Sequence, residues 1–258
     1  MSPSLLLKVR PALFASFVAT ALGLNRRRLV QCEHATLFIN PISLFGATVL
    51  EGEFEPRMRK VLHRYLSPGG VFIDLGANEG YFSVLASKIV GSKGIVVAIE
   101  PQSRLQHVIH TNLQANECFN VRVIRCVVSD KTGTARLSLA SSTITGSSSL
   151  FRPTKYPLRT EEVQSFCLSD LLDRLGLERC DLMKVDIEGA EYDVFMSAAD
   201  VLKEGLLQNI ALEFHPRVLE RRRLRAVDLH NRMIECGYEL NTELGPSVYS
   251  FSGKGGFA

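Results

Sequence analysis

The stretch Lys184-Val-Asp-Ile-Glu-Gly-Ala-Glu191 places three acids and a lysine directly after an apolar run. That run reads as a buried strand ending at Asp186, with Glu188 just beyond it. Gly189 allows a turn, and Glu191 opens a helix, where its charge complements the helix dipole. A second set, Glu213-Phe214-His215, closes another apolar run, and strand alternation puts Glu213 and His215 on one face. Carboxylates and an imidazole at strand ends can take a proton from a weak nucleophile, orient it, or hold a divalent cation. Asp186 is the first catalytic candidate, as base, metal ligand or orienting acid, followed by Glu188 and His215. The acids could bind Mg²⁺ through oxygen, but spacing alone does not bring them together, so metal use stays open. Lys184, inside an apolar strand, needs a carboxylate partner rather than a reaction to perform.

A second constellation lies earlier. Phe72-Ile73-Asp74-Leu75 runs into Gly76-Ala77-Asn78-Glu79-Gly80 and then into a helical pattern. Glycines at a strand-to-helix turn let a ligand approach the backbone, and the helix start offers unpaired N–H groups. Glu100 closes the next strand and can accept both hydroxyls of a ribose. Asp74, Gly76, Ala77, Asn78, Gly80, Glu100, Pro101 and, beyond the third strand, Ser129 are therefore the candidate cofactor residues. The turn is not the G-x-G-x-x-G of dinucleotide binders. Its acids would repel a pyrophosphate but suit the ammonium and sulfonium of S-adenosylmethionine.

These segments carry a resemblance. Val71–Ser83, Ile99-Glu100-Pro101, Gly146–Leu150 and Lys184–Glu191 together resemble the FkbM family of methyltransferases, from about Phe54 to about His215. The resemblance implies a class I S-adenosylmethionine-dependent fold, with a doubly wound seven-stranded sheet ending in an antiparallel hairpin. It also implies O-methylation of a sugar, glycolipid or other small alcohol. A nicotinamide-dependent oxidoreductase is the alternative, opposed by the missing G-x-G-x-x-G and the missing Tyr-x-x-x-Lys relay. A non-catalytic adenosyl-binding scaffold is opposed by the acids at the fourth strand, for which it has no use.

The elements that must position these residues follow from the hydrophobic pattern. Strands are expected at Val71–Leu75, Ile95–Ile99, Val121–Val128, Asp181–Asp186 and Asn209–Phe214. Helices are expected at Tyr81–Val90, Gln102–Asn116, Tyr192–Lys203 and Arg217–Cys236. Repeated strand–helix alternation with near-continuous apolar strands indicates a doubly wound α/β sheet. Thr134–Ala140 and Val163–Leu168 read as lesser strands, with Ser169 capping a short helix that stops at Gly176. Ser141–Ser149 reads as a connecting or substrate loop, and Gly245-Pro246 as the turn of a closing hairpin. The arginines 221, 222, 223 and 225 read as a solvated helix face.

Composition sets the outer bounds. In 258 residues, 46 % are hydrophobic and 22 % charged, which excludes disordered and fibrous classes. A net charge of +3 is too mild for a nucleic-acid partner. Six cysteines without a metal-type spacing fit a reducing compartment. Residues 1–55 read as an N-terminal helical or irregular extension and 56–258 as the cofactor-binding domain. Within the extension, Lys8 and Arg10 precede the apolar run Ala12–Leu24, and Arg26-Arg27-Arg28 follow it. The run is shorter than the roughly 20 residues of a membrane span, and the arginines after it oppose export. A cytoplasmic chain with an option of peripheral membrane contact is the expectation.

Overall fold

Near-continuous apolar strands must be covered on both faces, and helices on each side of a parallel sheet achieve that. A computed structural model describes residues 26–139, 150, 160–243 and 247–253. The chain opens with an antiparallel hairpin, Arg28–Gln31 (β1) and Thr36–Ile39 (β2), then helices Leu44–Leu50 (α1) and Pro56–Tyr65 (α2). Val71–Leu75 (β3), Tyr81–Val90 (α3), Ile95–Ile99 (β4), Ser103–Ala115 (α4) and Val121–Ile124 (β5) follow. Next come Val127–Val128 (β6), Gly133–Ser138 (β7), Thr160–Phe166 (β8), Leu168–Leu175 (α5) and Leu182–Val185 (β9). Glu191–Ser197 (α6), Ala199–Lys203 (α7), Asn209–Leu212 (β10), Pro216–Arg221 (α8) and Ala226–Glu235 (α9) lead to Tyr238–Asn241 (β11) and Ser247–Phe251 (β12).

The seven-stranded sheet has the order β11-β12-β10-β9-β3-β4-β5. Its pairs from β10 to β5 are parallel, and β12 runs antiparallel to both of its neighbours. The chain winds outward from β3 in one direction and returns to β9 on its other side. The carboxyl ends of β3 and β9 therefore form the switch-point crevice where such sheets bind ligands. Alternate residues feed two cores. Ile73, Val97 and Met183 pack with α5, α6 and α9, while Phe72, Val96 and Leu182 pack with α2, α3 and the hairpin. Leu37, Ile39 and Phe45, from the expected N-terminal extension, are buried in that second core.

Several boundaries differ from expectation. The third strand is two strands: β5 stays on β4, whereas β6 pairs with β8 in a three-stranded sheet. Arg125 holds the bend between them, donating to Pro101 O and to Glu161. Ser169 is not the cap of α5. Cys167 occupies that position with extended backbone and no side-chain cap bond. The helix expected over 192–203 breaks at Ala198 into α6 and α7, where Ser197 bonds back to the Asp193 and Val194 carbonyls. The helix expected over 217–236 breaks between Arg221 and Ala226, with Arg223 at φ 57°. The apolar run Ala12–Leu24, the Ser141–Ser149 loop and Gly245-Pro246 lie outside the described residues. Among the described residues, no helix is long and apolar enough to cross a membrane.

Candidate active site

The turn after β3 must leave a strand and enter a helix within five residues, which demands unusual backbone. Gly76, Asn78 and Gly80 all have positive φ (85°, 50° and 80°), and Gly80 is the N-cap of α3. A Cβ on Gly76 would sit 1.9 Å from the carbonyl oxygen of Asp186. Glycine is thus required here because β3 and the end of β9 approach closely, a different reason from ligand access. Gly76 and Ala77 both donate to Ile99 O, locking the turn to the end of β4.

Glu100 is 3 % exposed, and its two oxygens accept the Asn78 and Gln102 backbone N–H groups. Burial pushes its carboxyl up to about 7 against the pull of those bonds. A carboxylate offers roughly four lone-pair directions, so Glu100 retains capacity toward the cavity it lines. Asn78 lines the same cavity, and its Oδ1 is buried without a hydrogen-bond partner among the described residues. The remaining walls include Ile99, Pro101, Val127, Val128, Leu137 and Leu150, with Asp186, Ile187, Glu188 and Ala190. This lining suits a ligand with hydroxyl or amine donors at one end and a flat apolar part. Asp74, Ala77, Gly80 and Ser129 are not on it. Asp74 is buried and accepts from Ser83, and the Ser129 hydroxyl is engaged with Ser165 and the Lys131 carbonyl.

The acids of the fourth and fifth strands converge. The ammonium of Lys184 lies 3.3 Å from Asp186 Oδ2 and 4.0 Å from Asp74 Oδ1. Burial opposes its charge, and Asp186 and Asp74 more than offset that, holding it above the usual lysine range. His215 Nε2 faces Asp186 Oδ1 at 3.6 Å and Glu188 Oε2 at 3.9 Å. Its other nitrogen, Nδ1, lies 3.1 Å from Glu191 Oε1. An ionised carboxylate can only accept, so Nδ1 carries the proton and Nε2 is the nitrogen that titrates. Glu191 is fully buried and also accepts the His215 and Gly189 backbone N–H groups. Burial would lower the imidazole pKa, but the Glu191 bond and the charges of Glu191, Asp186 and Glu188 raise it to about 9.

Two further acids join from the other side. Oxygens of Glu55 and Glu213 lie within 4.8 Å of the Asp186 carboxylate, and both residues line a second cavity with Arg57, Lys184 and Phe214. Burial is the main cause that pushes Glu55 up to about 7, and it raises Glu213 as well. Asp186 thus lines the first cavity and lies beside these two acids of the second. Asp186, Glu188 and His215 have ligand atoms mutually within 4.8 Å. An imidazole donor and an ammonium already on Asp186 suit Mg²⁺ poorly, since that ion prefers oxygen ligands and water.

Over residues 74–240 the chain matches the Methyltransferase FkbM domain. The chain belongs to the FkbM methyltransferase family. The matched span begins at Asp74 and contains the cofactor turn, Glu100 and the whole acidic cluster except Glu55. Methyltransferase sdnD from Sordaria araneosa is 28 % identical over 205 residues, covering 67 % of this chain and 78 % of that protein. The crystal structure of Methyltransferase FkbM from Methylobacillus flagellatus KT is similar with 15 % identity and a TM-score of 0.47, covering 93 % of this chain and 60 % of that one. Fibrillarin from Aeropyrum pernix aligns with a TM-score of 0.39 and 14 % identity, over 72 % of this chain and 67 % of that one.

Within this methyltransferase, the structure brings Asp186, Glu188 and His215 together, and Gly76, Asn78, Glu100 and Pro101 around one cavity. Glu55 and the orienting role of Glu191 were not legible beforehand. Glu55 precedes Pro56 and has φ 40°, so a Glu-Pro pair opening a helix is the one local sign it offers. Arg222, expected on a solvated face, instead forks onto Asp193 (2.6 and 2.7 Å) and donates to Gly189 O, bracing the acidic turn.

Proposed function

We propose that this protein transfers the methyl group of S-adenosylmethionine to a hydroxyl of a small acceptor of the sugar, glycolipid or secondary-metabolite kind. The observation that carries the reading is Asp186, which lines the adenosyl-type cavity and lies within 4.8 Å of Glu55 and Glu213 on the wall of the second cavity. When bound, S-adenosylmethionine supplies an already activated methyl group, so the protein has to align a nucleophile and remove its proton. Glu100 and Asn78 offer acceptors for the ribose and amine donors, and Asp186 orients the acceptor hydroxyl. His215 takes the proton at Nε2. A base with pKa about 9 is well matched to the proton of an alcohol.

Calorimetry with S-adenosylmethionine against NAD(H) tests the cofactor. Transfer of label from methyl-labelled S-adenosylmethionine into a panel of neutral sugars, amino sugars and anionic sugars tests the acceptor. Binding of NAD(H) in preference, or transfer confined to nitrogen or carbon acceptors, would overturn the reading. Transfer is expected to survive EDTA, in keeping with the donor set around His215.

A further inference from the structure

We propose that Arg27 is a positioning residue for the cofactor turn, clasping it through Glu79 and coupling the N-terminal hairpin to cofactor affinity. The inference rests on S-adenosylmethionine being the cofactor. Glu79 sits inside the turn, between Asn78, which lines the cavity, and Gly80, which caps α3. Its side chain is fully buried and is met by the Arg27 guanidinium as a fork, at 2.6 and 2.8 Å. The same guanidinium donates to Phe38 O on β2. Asn112 of α4 closes the arrangement, donating to Glu79 O and accepting from Phe38 N. One end of the turn is thus tied to β4 by backbone bonds and by Glu100. Its middle is tied to the hairpin through Glu79.

Asn78, a non-glycine at φ 50° between two positive-φ glycines, is a backbone position that its surroundings must hold. The clasp supplies that hold. Released, Glu79 would keep a buried carboxylate without its fork, and the Asn78 backbone that bonds Glu100 would be free to turn. The fork also explains an arginine here, because a lysine ammonium cannot meet both oxygens in a plane.

Coupling between two sites is reciprocal, so both directions can be measured without any acceptor. Calorimetric Kd values for S-adenosylmethionine are compared among the parent, Arg27→Lys, Arg27→Gln and Glu79→Gln. Folded variants are expected to bind roughly 3- to 30-fold more weakly, the usual range for residues that modulate a site without touching the ligand. Arg27→Lys is expected to fall between the parent and Arg27→Gln. In the other direction, S-adenosylmethionine should slow tryptic cleavage after Arg27 in the parent, because trypsin must take the guanidinium away from Glu79. That protection should vanish in Glu79→Gln. Folded variants that bind like the parent, or cleavage after Arg27 that ignores the cofactor, would overturn the clasp. Should every substitution prevent folding, the cleavage experiment on the parent decides alone. A parent that fails to bind S-adenosylmethionine would instead remove the proposed function, a result distinct from the first two.

Discussion

At the scale of single residues, the site separates into groups that recognise and groups that move a proton. Glu100→Ala should weaken S-adenosylmethionine by roughly 1.5–3 kcal/mol, the range for hydrogen bonds to a charged group, measured by calorimetry. Asp186→Asn keeps the shape but loses the charge facing Lys184 and His215. It should leave cofactor affinity within a few-fold and lower transfer by about 10²–10⁴. His215 and Asp186 are separated by pH. If His215 takes the proton, transfer should climb with pH and level off near the raised pKa of about 9. In His215→Ala that limb should disappear. A flat profile in the parent across neutral to alkaline pH would return the role to Asp186. The ring of His215, followed by NMR, should titrate closer to the ordinary histidine value in Glu191→Gln. Asp186, Glu188 and His215 were readable in advance because a strand-end acid carries its own local signal. Glu55 and Arg27 were not, because each meets its partners across a long stretch of chain, and nothing in their immediate neighbours encodes that meeting.

At the scale of elements, legibility followed the kind of boundary. Val71–Leu75, Tyr81–Val90 and Ile95–Ile99 have the bounds that their apolar runs and the glycines at 76, 80 and 91 dictate. Breaks made without glycine or proline were hidden. The bend at Arg125 and the Ser197 back-bonds arise from contact with Glu161 and from hydroxyl competition, and Arg223 breaks the helix in a left-handed conformation. The last break has a consequence for the site. Ending α8 at Arg221 lets Arg222 reach Asp193 and the Gly189 carbonyl, so one helix terminus braces the turn that carries Glu188. Arg222→Met retains the aliphatic stem but loses the fork. It should cost about 1–3 kcal/mol of stability by denaturant unfolding, the order for charge-assisted bonds in partly buried positions.

At the scale of the whole molecule, the concentration of acids at one end of the sheet is a stability problem with a definite sign. Glu100 and Glu55 are each pushed up to about 7, mainly by burial, and His215 is pushed up to about 9 by its acidic neighbours. For the two acids, the folded chain binds more protons than the unfolded chain between about pH 4.5 and 7. The histidine adds the same inequality between about 6.5 and 9. Stability falls with pH wherever the folded state holds the extra protons. The contributions are therefore complete in mildly acid solution and are lost as pH rises through 7 and then 9. The cofactor-free protein should accordingly be most stable near pH 5, with a midpoint of thermal unfolding that drops steadily toward pH 9. Glu55→Gln removes one ionisation from the cluster. It should flatten the lower part of that slope, recovering on the order of 3 kcal/mol or less at pH 8, the equivalent of its shift. Glu55 is the right probe because it lies outside the matched family domain and does not line the cofactor cavity. A stability curve for Glu55→Gln parallel to that of the parent from pH 5 to 8 would show that its carboxyl is not held protonated by burial. The acid cluster would then have to be relieved elsewhere, at Glu213 or Asp74.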